Sequence, residues 1–274
     1  METAVRLAGN GRDAALGLFR SIVFASLVLA IPVTLVTTNV RFAASEVRVY
    51  DYSVREYNAA AAARIPESEL TRANRELVAY FTADDPGPLH IVVANTNGED
   101  EALFNARETA HLVDVRGLFQ GLFTLQVLAV ASALTLAVAL LVASPLRLLA
   151  RAVLYGSLLT VAVVGATAAI SYVSFDSAWR QLHFLAFTND LWELDPARDH
   201  LIQMFPRDFW FDITLLIGAF TLLEALLIGG ASGAYLCFAP RSEDREEHRP
   251  FLVERHPLEP RPRIPPPRAR HLTH

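Results

Sequence analysis

Four long apolar blocks constrain the fold of this chain more than any other feature. They cover residues 18–38, 118–143, 148–172 and 213–238. A helix needs about 20 apolar residues to cross the hydrocarbon core of a bilayer, where the backbone must satisfy its own hydrogen bonds. Charged residues make up only 19% of the chain, below the roughly 25% of an average soluble protein. The sequence therefore predicts an integral membrane protein with four transmembrane helices.

The first block resembles a signal peptide only superficially. Small residues follow it at Ala43, Ala44 and Ser45, as a cleavage site would require. Its apolar run is longer than the 7–15 residues of a typical signal-peptide core. We therefore predict an uncleaved membrane anchor.

The distribution of arginine predicts the orientation of the helices. The N-terminal segment up to Arg20 contains three arginines and two acids, and the segment from Ser144 to Arg151 contains two arginines and no acid. In contrast, residues 39–117 contain 13 acids and 8 arginines, and residues 173–212 contain 7 acids and 3 arginines. Because arginine concentrates in short cytoplasmic flanks, both termini are predicted to be cytoplasmic. The two acidic segments are then extracytoplasmic.

The first acidic segment is long enough to form a small cap. Alternation of apolar and polar residues over 47–50 predicts a short strand, and helical spacing predicts a helix over 66–81. Residues 91–93 and 102–104 flank an Asn-Gly turn typical of a β-hairpin. Residues 105–108 have the pattern of a helix cap that leads into the second block. The predicted fold class is membrane all-α, a four-transmembrane-helix bundle with a small extracytoplasmic α+β cap.

The second acidic segment is rich in aromatic residues and contains all three tryptophans, Trp179, Trp192 and Trp210. Tryptophan and tyrosine concentrate at membrane interfaces, so an aromatic belt is one interpretation. The aromatic residues are dense and lie among polar residues, including His183 and Asn189. This mixture favours a pocket at the membrane surface.

The C-terminal tail, residues 239–274, differs from the rest of the chain. It contains eight prolines and eight arginines and few apolar residues. Such a segment buries too little apolar surface to offset its ordering entropy. We predict a disordered cytoplasmic tail.

His111 has local support for a chemical role. Glu108, His111 and Asp114 are spaced at i, i+3 and i+6, which places them on one face of a helix. A carboxylate beside an imidazole suits a general base, and Glu-x-x-His also binds metals in helical bundles. A polar helix face at the lipid headgroups is the third interpretation. His183 follows the third block at a similar height, which predicts that both histidines lie near the membrane surface.

Three further segments carry a resemblance to a known family. They are Asn74–Phe81, Glu108–Val115 and the block from Leu182 to Pro206, which includes His-Phe-Leu-Ala-Phe-Thr-Asn-Asp-Leu-Trp. Their order relative to the four apolar blocks resembles the bacterial lipoprotein intramolecular transacylase family. The resemblance extends from about residue 18 to residue 238.

The resemblance implies an acyltransferase of the bacterial plasma membrane. Such an enzyme moves the sn-2 acyl chain of a diacylglyceryl-lipoprotein to the α-amino group of its N-terminal cysteine, and needs no cofactor or metal. Its partners are diacylglyceryl-modified lipoproteins and membrane lipid, not nucleic acid. The alternatives are a related lipid-modifying or ester-cleaving enzyme, and a non-enzymatic lipid-binding or envelope assembly protein with the same fold.

The resemblance also implies the catalytic residues, and the residues around them in the sequence are expected to support the site. The catalytic pair corresponds to His111 and His183. The supporting residues are Glu108, Asp114, Asn189, Asp190 and Trp192. Aromatic residues are expected to form the substrate pocket, namely Tyr80, Trp179, Phe184 and Phe187.

Overall fold

The computed structural model describes the backbone of residues 2–239 and the side chains of residues 14–239. The predicted disordered tail lies outside these residues, apart from residue 239. Residues up to Cys237 form one compact unit. Its elements are α1 (Glu2–Ser45), α2 (Val47–Glu56), α3 (Ala59–Ala63), α4 (Glu67–Thr82), β1 (Val92–Ala94), β2 (Asp100–Ala102), α5 (Ala106–Ala143), α6 (Leu146–Ala186), α7 (His200–Met204) and α8 (Arg207–Phe238).

Among the described residues, four helices are long and apolar enough to cross a membrane, and they contain the four predicted blocks. They are α1 from Ala14 onward, α5, α6 and α8. Helix α1 packs against both α5 and α6. Its buried residues Val23, Leu27 and Ile31 share one cluster with Leu140 and Ala152. The helical core of the predicted fold class is confirmed.

Small residues let α8 approach α6 closely. A Cβ atom added to Gly229 on α8 would lie 2.7 Å from the Ser157 Cβ on α6. Helix pairs in membranes pack in this way because lipid provides no hydrophobic drive for their association. A buried polar group also ties α8 to α1, since the Asn39 amide donates to Glu224 Oε2 at 2.8 Å and to Thr221 Oγ1 at 3.2 Å.

The cap comprises residues 46–105. Its predicted strand over residues 47–50 is wrong, because these residues begin α2. Val47, Tyr50 and Val54 are spaced at i, i+3 and i+7 and also form one face of a helix. Tyr50 and Val54 are buried. The Glu46 carboxylate accepts a hydrogen bond from the Arg48 backbone N–H and caps this helix.

The predicted helix and hairpin of the cap are present, but the second strand is Asp100–Ala102, two residues earlier than the predicted 102–104. Helix α4 matches the predicted helix, and β1 pairs antiparallel with β2, with Val93 opposite Glu101. Gly98 in the turn has φ +81°, a conformation that favours glycine. The core of the cap continues to α7 and the start of α8, where Met204 and Phe209 are buried in the same cluster.

The aromatic segment is more helical than a loop between two spans would be. Helix α6 continues fourteen residues beyond Tyr172, to Ala186. Only Ser174 departs from helical geometry, with φ −149° and ψ 54°. The chain then forms a loop over residues 187–199 before α7.

Candidate active site

A capping box fixes the start of α5 and thereby the height of His111. The Asn105 side chain accepts hydrogen bonds from the backbone N–H groups of Arg107 and Glu108, at 2.9 Å and 3.1 Å. The Glu108 carboxylate accepts in return from the Asn105 backbone N–H at 2.8 Å. This reciprocal arrangement confirms the predicted helix start, and it places His111 in the second turn of α5.

The two candidate histidines face each other from different helices. The ring centroids of His111 on α5 and His183 on α6 are 6.2 Å apart, with 30° between the ring planes. Their exposed fractions are 6% and 9%. His111 precedes the apolar run of α5, which begins at Leu118, and His183 follows the apolar run of α6, which ends at Tyr172. The structure therefore brings together the two histidines that the sequence singles out.

The backbone fixes the tautomer of His183. Its Nδ1 lies 2.8 Å from the carbonyl oxygen of Trp179. A carbonyl oxygen only accepts hydrogen bonds, so Nδ1 carries the proton and donates it. In the neutral ring, Nε2 then keeps its lone pair and is free to accept a proton. The Nδ1 atom of His111 is buried and has no hydrogen-bond partner among the described residues.

Burial favours the neutral form of both imidazoles. It lowers the pKa of His183, against the opposing effect of the Trp179 carbonyl. The pKa of His111 falls to about 4, mainly through burial and further through the nearby His183, while the Asp114 carboxylate opposes the fall. Both rings are therefore favoured as neutral imidazoles, each with one unprotonated ring nitrogen.

Aromatic rings surround the pair. Trp179 and Trp192 lie 4.7 Å and 4.9 Å from the His183 ring, measured between centroids. The Phe187 ring lies 5.1 Å from that of His111. Both histidines, Trp179, Phe187 and Trp192 line a cavity of about 660 Å³.

The cavity is mainly apolar and extends along the helices away from the histidines. Its wall reaches Leu122 on α5 and Ile217 on α8. Along α5, His111 and Leu122 are separated by about 16 Å at 1.5 Å per residue. The cavity is therefore long and mainly apolar, with the two histidines near one end, and Arg207 and Thr214 of α8 add polar groups to its wall. This shape suits an acyl chain with a reactive head.

Two predicted pocket residues, Tyr80 and Phe184, are not among those that line this cavity. Tyr80 lies on α4, where its ring packs against Phe81 and beneath the guanidinium of Arg116. Phe184 is 55% exposed, and it meets the edge of Trp192 from outside. Phe184 occupies the position after His183 and therefore points to a different side of the helix.

Side-chain bonds attach the loop over residues 187–199 to α5, two of them at residues 189 and 190. The Asn189 amide donates to Asp114 Oδ2 at 2.9 Å. The Arg107 guanidinium donates to the backbone carbonyl of Asp190. Asp190 thus contributes its carbonyl here, while sequence reasoning did not identify Arg107. Its position four residues before His111, on the same helix face, is the signal that indicates it.

Glu108 supports the site through the backbone and not through the imidazole. Its two oxygens accept hydrogen bonds from the backbone N–H groups of Asn105 and Leu201, the latter at 2.6 Å. Burial raises the pKa of this carboxyl, and the two N–H donors oppose the rise. Both oxygens therefore accept from backbone donors, and no hydrogen bond joins this carboxylate to the His111 ring among the described residues. No group of three potential metal-binding side chains occurs among residues 14–239.

Comparison with known proteins gives matches to one family and to solved structures. The sequence model of lipoprotein intramolecular transacylase Lit matches residues 25–210. The chain is similar to the membrane integral lipoprotein intramolecular transacylase Lit from Bacillus cereus, with a TM-score of 0.70 and 20% identity over 84% of this chain and 99% of that chain. No curated protein sequence matches it.

Two further structures of the Bacillus cereus protein, each with one histidine substituted, also have this fold. The arginine variant has a TM-score of 0.67 at 19% identity, over 87% of this chain and 99% of that chain. The alanine variant has a TM-score of 0.66 at 19% identity, over 84% of this chain and 97% of that chain. At this identity the structures establish the fold, while the family match extends over more than half of the chain. This multi-pass membrane protein therefore belongs to the lipoprotein intramolecular transacylase family Lit, a family of acyltransferases.

Proposed function

We propose that this protein transfers the sn-2 acyl chain of a diacylglyceryl-lipoprotein to the α-amino group of the N-terminal cysteine of the same lipoprotein. The observation that carries the proposal is the pair of buried imidazoles, His111 and His183, at the head of a long apolar cavity. The cavity accommodates the acyl chain, and the histidines lie where its ester would enter. Acyl transfer needs both features within one site.

In this mechanism the free amine attacks the carbonyl carbon of the sn-2 ester. A C–N bond forms, and the nitrogen of the tetrahedral intermediate becomes acidic. The Nε2 lone pair of His183 accepts a proton from that nitrogen, because its Nδ1 is held as a donor by Trp179. The C–O bond then breaks, and the departing sn-2 oxygen receives the proton through the histidine pair. The products are an amide and an alcohol, with no net gain or loss of a proton.

The depressed histidine pKa values suit this sequence of steps. A neutral imidazole is required to accept the first proton, and an imidazolium with a lowered pKa gives the proton up readily to the leaving oxygen. The aromatic wall around the pair holds the amine and the ester together. Orientation of two reacting groups of one molecule contributes substantially to rate.

The site is proposed to face the extracytoplasmic side of the membrane. The cap and the loop over residues 187–199 belong to the two acidic segments, while the arginine-rich flanks lie at the other ends of the helices. The positive-inside rule then places both termini in the cytoplasm. Diacylglyceryl-modified lipoproteins in the outer leaflet would have direct lateral access to the cavity.

The test is mass spectrometry of the N-terminal peptide of a diacylglyceryl-lipopeptide incubated with the purified full chain. We expect His183→Ala and His111→Ala to slow formation of the N-acyl lyso product by about 100-fold or more, the usual contribution of a general base. His90→Ala is the matched control, because His90 is an exposed histidine on the cap. Wild-type protein that forms no N-acyl product, or alanine variants as fast as the control, would refute the proposal.

A further inference from the structure

A second concave surface lies on the opposite side of the cavity wall. This groove has a volume of about 630 Å³ and is formed by the end of α1, by α2 and by α8. Val49 and Ile213 line both the groove and the cavity of the histidines, so the groove is a neighbour of the candidate active site. The histidines themselves do not line it.

The upper edge of the groove carries two arginines on one face of α2. Arg48 and Arg55 are separated by seven residues, with Tyr52 between them at helical spacing. The Arg48 side chain is 88% exposed and makes only a long contact with Glu46, 3.7 Å from Nε to Oε1. Arg55 is exposed, and it has no ion pair among the described residues. The edge therefore offers two guanidinium groups to a ligand.

The carboxylates of the groove are already engaged within the protein. Asp212 accepts hydrogen bonds from the hydroxyl groups of Tyr52 and Tyr57, at 2.8 Å and 2.6 Å. Glu46 accepts from the backbone of α2 and faces Arg48. Their hydrogen-bonding capacity is thus partly used by internal partners, whereas the guanidinium donors of Arg55 are not.

The floor of the groove is apolar and belongs to a membrane-crossing helix. It includes Leu215, Leu216 and Phe220 of α8, with Phe42 of α1 beside them. All four side chains are at least 36% exposed. From Asp212 to Phe220 the helix descends about 12 Å at 1.5 Å per residue. Two cationic groups therefore stand above a strip of exposed apolar surface.

We propose that this groove binds one glycerophospholipid, with its phosphodiester at Arg48 and Arg55 and one acyl chain along Leu216 and Phe220. Guanidinium groups bind phosphate oxygens through paired N–H donors, and the exposed strip matches an acyl chain in both polarity and direction. A neutral diglyceride would match the floor but leave Arg55 without a partner and Arg48 with only its long contact to Glu46. The lipid would cover the outer side of the wall formed by Val49 and Ile213.

The test measures lipid retention by the purified full chain in nonionic detergent, using native mass spectrometry. Dioleoyl phosphatidylglycerol is the probe, and dioleoylglycerol is the neutral comparison with the same acyl chains. We expect one phosphatidylglycerol per protein to be retained in preference to dioleoylglycerol. Arg48→Gln combined with Arg55→Gln should weaken its binding by about thirtyfold, the effect of two arginines near a membrane surface.

Matched variants separate the site from general lipid binding. Arg64→Gln combined with Arg75→Gln removes two exposed arginines elsewhere on the cap and should leave retention unchanged. Leu216→Trp fills the floor and should reduce retention, whereas Leu227→Trp, on an exposed part of α8 outside the groove, should not. Equal retention of the two lipids, or equal losses in the two arginine pairs, would overturn the proposal. The readout contains no acyl transfer, so this proposal and the proposed function fail independently.

Discussion

The bond between Asp114 and Asn189 provides a sharp test of how the loop controls the histidines. Asp114 follows His111 by one turn of α5, and it accepts the Asn189 amide at 2.9 Å. The same loop carries Phe187 and Trp192, whose rings contact the two imidazoles. Loss of this bond should therefore loosen the aromatic wall while both histidines remain in place.

Two substitutions of Asp114 distinguish the effect of its hydrogen bond with Asn189 from the effect of its negative charge. Asp114→Ala removes the acceptor, whereas Asp114→Asn keeps a carbonyl oxygen that accepts from Asn189 and removes only the negative charge. A hydrogen bond to a charged group contributes about 1.5–3 kcal/mol when buried, and partial exposure of both side chains reduces this to about 1 kcal/mol. If that energy holds the loop in the reacting complex, Asp114→Ala should slow turnover by about five- to tenfold. Asp114→Asn should stay within about threefold of wild type.

The assay is the initial rate of N-acyl product formation at saturating lipopeptide, with hydrogen exchange of residues 188–194 as an independent readout. We expect faster exchange in this segment for Asp114→Ala only. Glu193→Ala is the control, since it removes an exposed carboxylate from the same loop. If the alanine and asparagine variants are equally slow and exchange is unchanged, the charge of Asp114 matters and the reasoning about the bond is wrong.

Three further predictions concern packing, the helix start and pH. Gly229→Ala should destabilise the bundle by about 1–3 kcal/mol, because the added methyl group would clash with Ser157. Gly230→Ala is the control and should not destabilise the bundle, because the space around its Cβ position is open. Thermal unfolding in detergent compares the two variants. Glu108→Gln should lower stability by about 1–3 kcal/mol, because the NH₂ group of glutamine cannot accept a hydrogen bond and leaves one of the two backbone N–H donors unpaired. A Tm equal to that of wild type would contradict this prediction. The pKa of His111 is about 4 in the folded protein and near 6.5 in the unfolded chain. The stability that the neutral His111 contributes is therefore complete above pH 6.5 and is lost as the pH falls toward 4. The Tm of wild type should therefore fall more steeply over that range than the Tm of His111→Gln, and parallel curves would refute the assignment.

The elements that sequence predicted well are those whose constraints are local. The four membrane helices follow from the requirement of the bilayer for about 20 apolar residues. The hairpin follows from its Asn-Gly turn, and the start of α5 follows from the Asn105 and Glu108 pattern. In each case, residues within a few positions of one another determine the structure.

The elements that sequence missed depend on distant partners. The segment from Val47 to Val54 fits both strand and helix periodicity, and burial of Tyr50 and Val54 against the cap core decides for the helix. Glu108 stands beside His111 in sequence, but one of its oxygens is engaged by Leu201, which lies 93 residues away. Periodicity contains no information about such contacts. The same limit applies to Arg107 and its bond to the Asp190 carbonyl.

The helical extensions beyond the apolar runs explain how a membrane bundle positions this pair of histidines. Helix α5 begins twelve residues before Leu118, and α6 continues fourteen residues after Tyr172. Each extension is therefore about 18–21 Å long. Groups carried on helices are held more precisely than groups carried on loops. His111 lies on a continuous helix, whereas His183 lies beyond the kink at Ser174 in α6, so the separation of the two histidines depends on that kink as well as on the two helices. In the proposed reaction, the apolar cavity would hold the lipid chain, and the loop attached through Asp114 and Arg107 would confine the amine. Variation in that loop would change which substrates fit without moving the helix that carries His111.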